Sequence, residues 1–256
     1  MIDIKNLDLS IRGTTILSGI SASFNDGETV GIIGKSGSGK TLLLKSLAGL
    51  AGRFPKSIAV NGAPLPRRKA EARKHVRYYG AGIPLNPDEG LHDFLLHARA
   101  PYKKAFRPYS DYDRQIADEY INLLGLSPFR DSALGVLPDG IFRLAMLAHT
   151  FIGEAHAIAL DNPTNDLDIA SVRMLKRAVG RYVMNGDHIV IISSNDLNFI
   201  AQAADRIIIL DGGRVVGNGP VGILDQETIK RHFGTEVLIS KNVYNGRPEF
   251  HLFPDI

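Results

Sequence analysis

The sequence predicts an α/β protein in which a sheet flanked by helices carries a helical insert. Three observations point there. Thr29 to Ile33 is a short, mostly apolar run, Gly34 to Thr41 is rich in glycine, and Leu42 to Ala48 has helical character, so a buried strand leads through a tight loop into a helix. From Ala157 onward, apolar runs alternate with segments of helical spacing. Between Ile83 and Gly153 the strand pattern gives way to helical spacing and to loops rich in Pro, Gly and Tyr.

In chain order, Ile2 to Ile11 and Ile16 to Phe24 alternate apolar with polar residues, as half-buried strands do, and Asn25-Asp26-Gly27-Glu28 turns into the strand ahead of the loop. Ile58 to Val60, ending in Asn61-Gly62, and Val76 to Tyr79 are further short strands. Arg67 to Arg77 interleaves basic residues with Ala and Glu and reads as a solvated helix face. Leu91 to Ala98, Asp113 to Leu124 and Ile141 to Phe151 carry the insert's helices. Strands then return at Ala157 to Asp161 and His188 to Ser193, with helices at Ile169 to Tyr182 and Leu197 to Ala204. Arg206 to Leu210 and Gly213 to Val216 pair as a hairpin about Asp211-Gly212.

Composition narrows the class. The 256 residues are 44% hydrophobic and 22% charged, as in an ordinary globular protein long enough for a full core. Cysteine is absent, which excludes a disulfide frame, a thiolate metal site and a cysteine nucleophile. A formal charge of +3 is too slight to imply nucleic acid as a partner. No apolar run reaches the ~20 residues that span a bilayer, and Met1-Ile2-Asp3-Ile4-Lys5 is no signal peptide, so the expectation is a protein that stays where it is made.

The chemistry begins at Gly34-Lys35-Ser36-Gly37-Ser38-Gly39-Lys40-Thr41, which is Gly, four residues, then Gly-Lys-Thr. Glycines allow successive backbone N–H groups to curl round a phosphate, and the following helix points its positive end at the anion. Lys40 is placed to reach the outer phosphate oxygens, and the Thr41 hydroxyl to ligate Mg²⁺. Asp161 closes an apolar strand, where a carboxylate can sit on the magnesium side of a nucleotide, although an aspartate there can equally cap the next helix.

The run from Asp161 onward, Asp161-Asn162-Pro163-Thr164 with Leu167-Asp168 close behind, resembles the ATP-binding subunits of ABC transporters, where the strand ends Asp-Glu-Pro-Thr and a Leu-Asp "D-loop" follows. Asn6-Leu7, Ile16-Leu17, Asp93-Phe94-Leu95, Ile208 to Val215 and Gly217-Asn218-Gly219-Pro220 extend the resemblance over nearly the whole chain. Arg99-Ala100-Pro101-Tyr102 and the tail from Phe233 to Pro248 are similar to the branch that drives iron-siderophore and cobalamin importers. The resemblance implies one ATP-binding domain over 1–256. Its phosphate-loop NTPase core, a mixed sheet with flanking helices and an antiparallel β subdomain, occupies 1–82 and 154–256, with a helical insert at 83–153. It implies ATP on Gly34 to Thr41 with adenine near Ile11, and Mg²⁺ at Thr41 and Asp161. It also implies a homodimer or heterodimer of such subunits, membrane permeases docked through the insert, and a cytoplasmic place on the inner face of the cell membrane.

The departures from the family pattern cluster at catalysis. The catalytic glutamate is Asn162, the switch histidine is Asn195, and the glutamine that follows the strand at Val76 is Ala81. The aromatic adenine platform falls at Ile11, and the signature Leu-Ser-Gly-Gly-Gln reads Leu137-Pro138-Asp139-Gly140-Ile141. Asn162 has no basicity near neutral pH, Pro138 lacks both a hydroxyl and an N–H, and Asp139 brings negative charge toward a phosphate. The expectation is ATP binding with slow or negligible hydrolysis. Three functions compete: a transporter subunit of poor turnover, a non-hydrolysing ABC-like regulatory or assembly module, and a soluble nucleic-acid ATPase, which the charge disfavours.

Overall fold

Five-residue runs that are apolar on both faces are too short for helices, and they become central strands of a parallel sheet. The structure, a computed structural model, describes residues 1–51, 57–79, 85–103 and 106–253, with backbone alone at 69 and 70. The strands before the insert are β1 (Ile2–Ile11), β2 (Thr14–Phe24), β3 (Thr29–Ile33), β4 (Ile58–Val60), β5 (Ala63–Pro64) and β6 (Val76–Tyr78). Those after it are β7 (Ala157–Asp161), β8 (Ile189–Ser193), β9 (Arg206–Asp211), β10 (Arg214–Pro220), β11 (Val237–Lys241) and β12 (Pro248–Leu252). The helices are α1 (Lys40–Leu47), α2 (Lys69–His75), α3 (Leu91–His97), α4 (Asp111–Leu123), α5 (Asp139–Ile152), α6 (Ile169–Val183), α7 (Leu197–Ala203) and α8 (Gln226–Phe233).

The larger sheet has the order β10-β9-β3-β8-β7-β6, parallel except at the β10 edge. A second, antiparallel sheet runs β2-β1-β4-β5, and β11 and β12 form a separate hairpin. The result is the mixed α/β fold that the sequence predicts.

Alternation along the strands divides the core. Ile158, Leu160, Val190, Ile192, Ile207 and Ile209 point to the cluster built with α3 to α7. Ala157, Ala159, Ile189, Ile191, Ile208 and Leu210 point the other way, to the cluster holding Leu43, Leu44 and Leu47 of α1 and the inner residues of β1 and β2. The small Ala157 and Ala159 therefore lie on the α1 side. That helix is clamped between two sheets.

Residues 91–152 hold α3, α4 and α5, and an isolated β-bridge joins Gly90 to Ala133. Two expected boundaries are corrected. Ser110 and Asp113 form a reciprocal capping box, so α4 begins at Asp111 and not at Asp113. The last insert helix begins at Asp139 and not at Ile141: Pro138 takes the N-cap position, and Asp139 complements the helix dipole in the first turn. Helix α8 and the β11–β12 hairpin were not foreseen. The hairpin is fastened to α7 by Asn198, which donates to Phe250 O at 2.9 Å and accepts from Phe250 N at 2.8 Å.

Arg99, only 5% exposed, ties the insert together. Its guanidinium donates to Asp113 at 2.8 Å, to Glu154 at 2.7 Å and to Ile152 O at 3.1 Å. It also lies 4.6 Å from the centroid of Tyr102 and 5.6 Å from that of Tyr112. The end of α3, the start of α4 and the end of α5 thus share one cation. Burial alone pushes the Asp113 carboxyl up, but hydrogen bonds from Arg99 and Ser110 outweigh it and hold the group below its ordinary 3.8. Because the folded pKa is depressed, that stabilisation is present above about pH 4 and is lost as pH falls through the folded value. Arg99→Met removes the shared cation from both carboxylates and is expected to lower the unfolding free energy by about 3–5 kcal/mol. Urea denaturation at pH 7 measures it, and a loss under about 1 kcal/mol would show that the network is only superficial.

Candidate functional site

β3 lies between β8 and β9 and delivers the chain straight into the glycine-rich loop. A Cβ on Gly34 would stand 2.1 Å from the Leu210 carbonyl oxygen, so the loop rests directly on the end of β9. Lys40 is nearly buried, and its ammonium donates to Gly34 O at 2.7 Å and to Lys35 O at 3.1 Å. Burial pulls its pKa down, and the nearby charge of Asp161 opposes that. Ser38 Oγ is buried without a hydrogen-bond partner. Helix α1 carries no acidic residue in its first turn, so the positive end of its dipole is left uncompensated.

Ser36 to Thr41 line a cleft of about 630 Å³ together with Ile11, Asn162 and Asn195. Most of the residues singled out from the sequence thus meet at one place. Gly34, Lys35 and Asp161 are not on its lining. Among the described residues, Lys40 and Lys45 supply the charge of the lining, which holds no Asp, Glu or His.

Asp161 is occupied from several directions. Tyr78 donates to its Oδ2 at 2.8 Å, Ser193 donates to Oδ1, and the Asn162 amide donates to Oδ1 at 3.4 Å. Burial and the bond to Asp161 push the Tyr78 hydroxyl pKa well above its ordinary range. Parallel pairing makes this arrangement: β7 lies between β6 and β8, with Asp161 registered against Ser193. Sequence reading placed neither Tyr78 nor Ser193 at the site, because neither belongs to a motif.

Asn162 has a left-handed backbone, φ 46°, and its N–H donates to Ser193 O at 2.9 Å. Asparagine adopts that conformation more readily than most residues that carry a Cβ. Pro138 and Asp139 are exposed at the start of α5. Asp168 caps α6 by accepting from Ser171 N at 2.7 Å, while Asp166 pairs with Arg143 of α5 at 2.8 Å. Ala81 lies outside the described residues.

An anion fits this loop, given the approach of backbone at Gly34, the unpartnered Ser38 hydroxyl and the bare helix end. A divalent ion finds less. Among the described residues no group of three or more His, Cys, Asp or Glu could hold one, which leaves Thr41, Asp161 and whatever oxygens an anion brings. Bound there, such an ion would neutralise charge on the anion. The chain's own amides can orient a water but cannot take a proton from it.

The ABC transporter family model matches residues 17–165. The chain belongs to the ABC transporter family, among its ATP-binding subunits. The hemin import ATP-binding protein HmuV of Deinococcus radiodurans is 30% identical over 249 residues, covering 94% of this chain and 93% of that protein. The cobalamin import ATP-binding protein BtuD of Halobacterium salinarum is 25% identical over 256 residues, 99% of this chain, and the chain spans 64% of that protein's length. The fold matches a solved ATP-binding subunit of an ABC transporter with TM-score 0.76 at 22% identity, over 91% of this chain and 93% of that one. It also matches a dimeric ATP-binding cassette bound to ADP and Pi, with TM-score 0.73 at 19% identity, over 86% and 99% of the two chains.

In this family member the contact at Gly34 can be tested directly. Gly34→Ala forces the loop off β9 and is expected to cost about 1–3 kcal/mol by thermal unfolding. Gly140→Ala, whose added Cβ meets nothing within 4 Å, serves as the neutral control. Equal melting temperatures for both variants would show that the loop is not held against β9.

Proposed function

We propose that this ATP-binding subunit serves an importer of the iron-siderophore or cobalamin kind, binding MgATP tightly and hydrolysing it poorly. The observation that carries the proposal is a complete phosphate loop in a cleft whose lining, among the described residues, offers two amides and no carboxylate or imidazole. Phosphates sit on Gly34 to Thr41, adenine lies against Ile11, and Mg²⁺ is held near Thr41 and Asp161. Asn162 and Asn195 occupy the catalytic positions without the means to take a proton. The partner's nucleotide fares no better, since Pro138 and Asp139 present an imino ring and a negative charge where transition-state charge needs donors.

The family names and the relatives' import functions support the transporter setting. No helix among the described residues is long and apolar enough to cross a membrane. In this reading the subunit sits on the inner face of the cell membrane, pairs with a second ATP-binding subunit (a copy of itself or another chain) and docks on permeases through the insert, 83–153. A non-hydrolysing regulatory or assembly module is the second reading, favoured by degradation of both the catalytic positions and the signature. A neighbouring gene for a multi-span permease would decide for the first.

Lys40→Ala is expected to abolish MgATP binding in calorimetry, and an unchanged affinity would refute the site. Steady-state turnover of the purified protein should be about 10²–10⁴-fold below a competent ATPase. Asn162→Glu alone should not restore it, because Asn195 and the signature still lack their donors. Restoration should need Asn162→Glu with Asn195→His, Pro138→Ser and Asp139→Gly together. Robust turnover by the unaltered chain would sink the reading.

A further inference from the structure

A cavity of about 290 Å³ opens at the far end of the parallel sheet from the phosphate loop. Glu154 and His188 on its lining come just before β7 and β8, whereas Asp161 and Ser193 end those same strands. Helices α4 and α6 supply most of the rest, with Glu119 and Tyr120 from one and Arg181 and Tyr182 from the other.

Tyr120 is the unusual member. It is only 4% exposed, and its hydroxyl has no hydrogen-bond partner among the described residues. Its ring stacks on Phe151 at 5.4 Å between centroids, and Phe151 meets Tyr182 edge-on at 5.6 Å, so packing holds the phenol in place. Burial pushes its pKa well above the ordinary range, and the hydroxyl keeps its proton. A buried phenol without a partner is destabilising where a phenyl ring would not be, and an occupant of the cavity removes that penalty.

Around this hydroxyl, acceptors are in excess. Arg181 donates to Glu119 through Nε and, at 3.1 Å, through Nη2, and Tyr112 donates to Glu154 at 2.9 Å. Neither carboxylate is thereby saturated, since an ionised one has about four lone-pair sites. Ala155 O can only accept, and it takes the Tyr182 hydroxyl at 2.5 Å and the Nδ1–H of His188 at 3.1 Å. In the neutral ring that leaves a lone pair on His188 Nε2. On the lining, among the described residues, two carboxylates stand against one guanidinium. No group of three or more His, Cys, Asp or Glu among those residues could hold a metal ion, so a bare ion is a poor occupant. An organic cation is a better one. Arg99, which is not on the lining, already meets Glu154 in that way at 2.7 Å, with its guanidinium 5.6 Å from the centroid of Tyr112.

We propose that this cavity is a second ligand site of the subunit, taking a small organic amine whose ammonium groups donate to Glu119, Glu154 and the Tyr120 oxygen. The tyrosine rings add cation–π attraction. Since α4 lies in the insert and α6 in the core, the occupant fastens one to the other. The inference is independent of how the nucleotide site reacts.

Isothermal titration of the full chain with putrescine, a diamine, tests it beside butanediol, the uncharged molecule of matching length. Putrescine should bind about tenfold more tightly or better than the diol. Tyr120→Phe removes only the unpartnered hydroxyl, so the variant should fold and should bind putrescine about tenfold more weakly. Glu119→Gln should weaken it to a similar degree, and Tyr120→Phe decides where the loss of the pair with Arg181 unfolds that variant. Equal affinity for the diamine and the diol overturns the cationic ligand. Unchanged putrescine affinity in Tyr120→Phe, or no binding by the unaltered chain, overturns the site.

Discussion

Burial of β3 between β8 and β9 is the constraint on which the cleft depends. A strand with ladder partners on both sides cannot shift, so the loop that follows it begins at a fixed point. That point is pressed against the Leu210 carbonyl, and only a residue without a Cβ fits. Helix α1, wedged between the two sheets by Leu43, Leu44 and Leu47, then fixes where the loop ends. Loop geometry is therefore set from both sides by the core, and the anion-binding surface is formed in advance.

The charges around that surface are lopsided. Lys40 and Lys45 face the cleft, while the nearest acid, Asp161, has its oxygens spent on Tyr78, Ser193 and Asn162. In the proposed reading, a site of this kind holds an anion in preference to reacting it. Holding needs only fixed donors, whereas hydrolysis needs a base that can accept a proton while phosphate charge grows. In that reading Asn162 and Asn195 keep the polarity of the catalytic positions without the proton chemistry.

Much of this was legible in the sequence because it is local. The strand–loop–helix unit, the apolar strand ending at Asp161 and the change to helical spacing after Ile83 all depend on neighbours within a few residues. Ile11, Asn162 and Asn195 were foreseen through family resemblance, and they do share a cleft with the loop. What escaped depends on long-range pairing. Tyr78 reaches Asp161 across 83 positions because β6 and β7 are parallel neighbours, and nothing near Tyr78 in the sequence announces that. The β11–β12 hairpin escaped for another reason: its strands are only partly buried and mix polar with apolar residues, so their period is weak. The start of α5 was misplaced because Pro138 was weighed for the donor it lacks and not for the N-cap it can provide.

The contact between Gly34 and Leu210 also bears on how the molecule is made. The loop lies near the beginning of the chain, yet the carbonyl that supports it belongs to β9, among the last strands of the sheet to be synthesised. A nascent chain emerging from the ribosome has the loop sequence long before it has the surface that shapes it. Parallel pairings of such separation close slowly, since loop-closure entropy is spent before the contacts form. Nucleotide thus cannot template the early stages of folding here. It can stabilise only a nearly finished subunit, which makes ligand protection a late checkpoint of maturation and exposes truncated products to proteolysis.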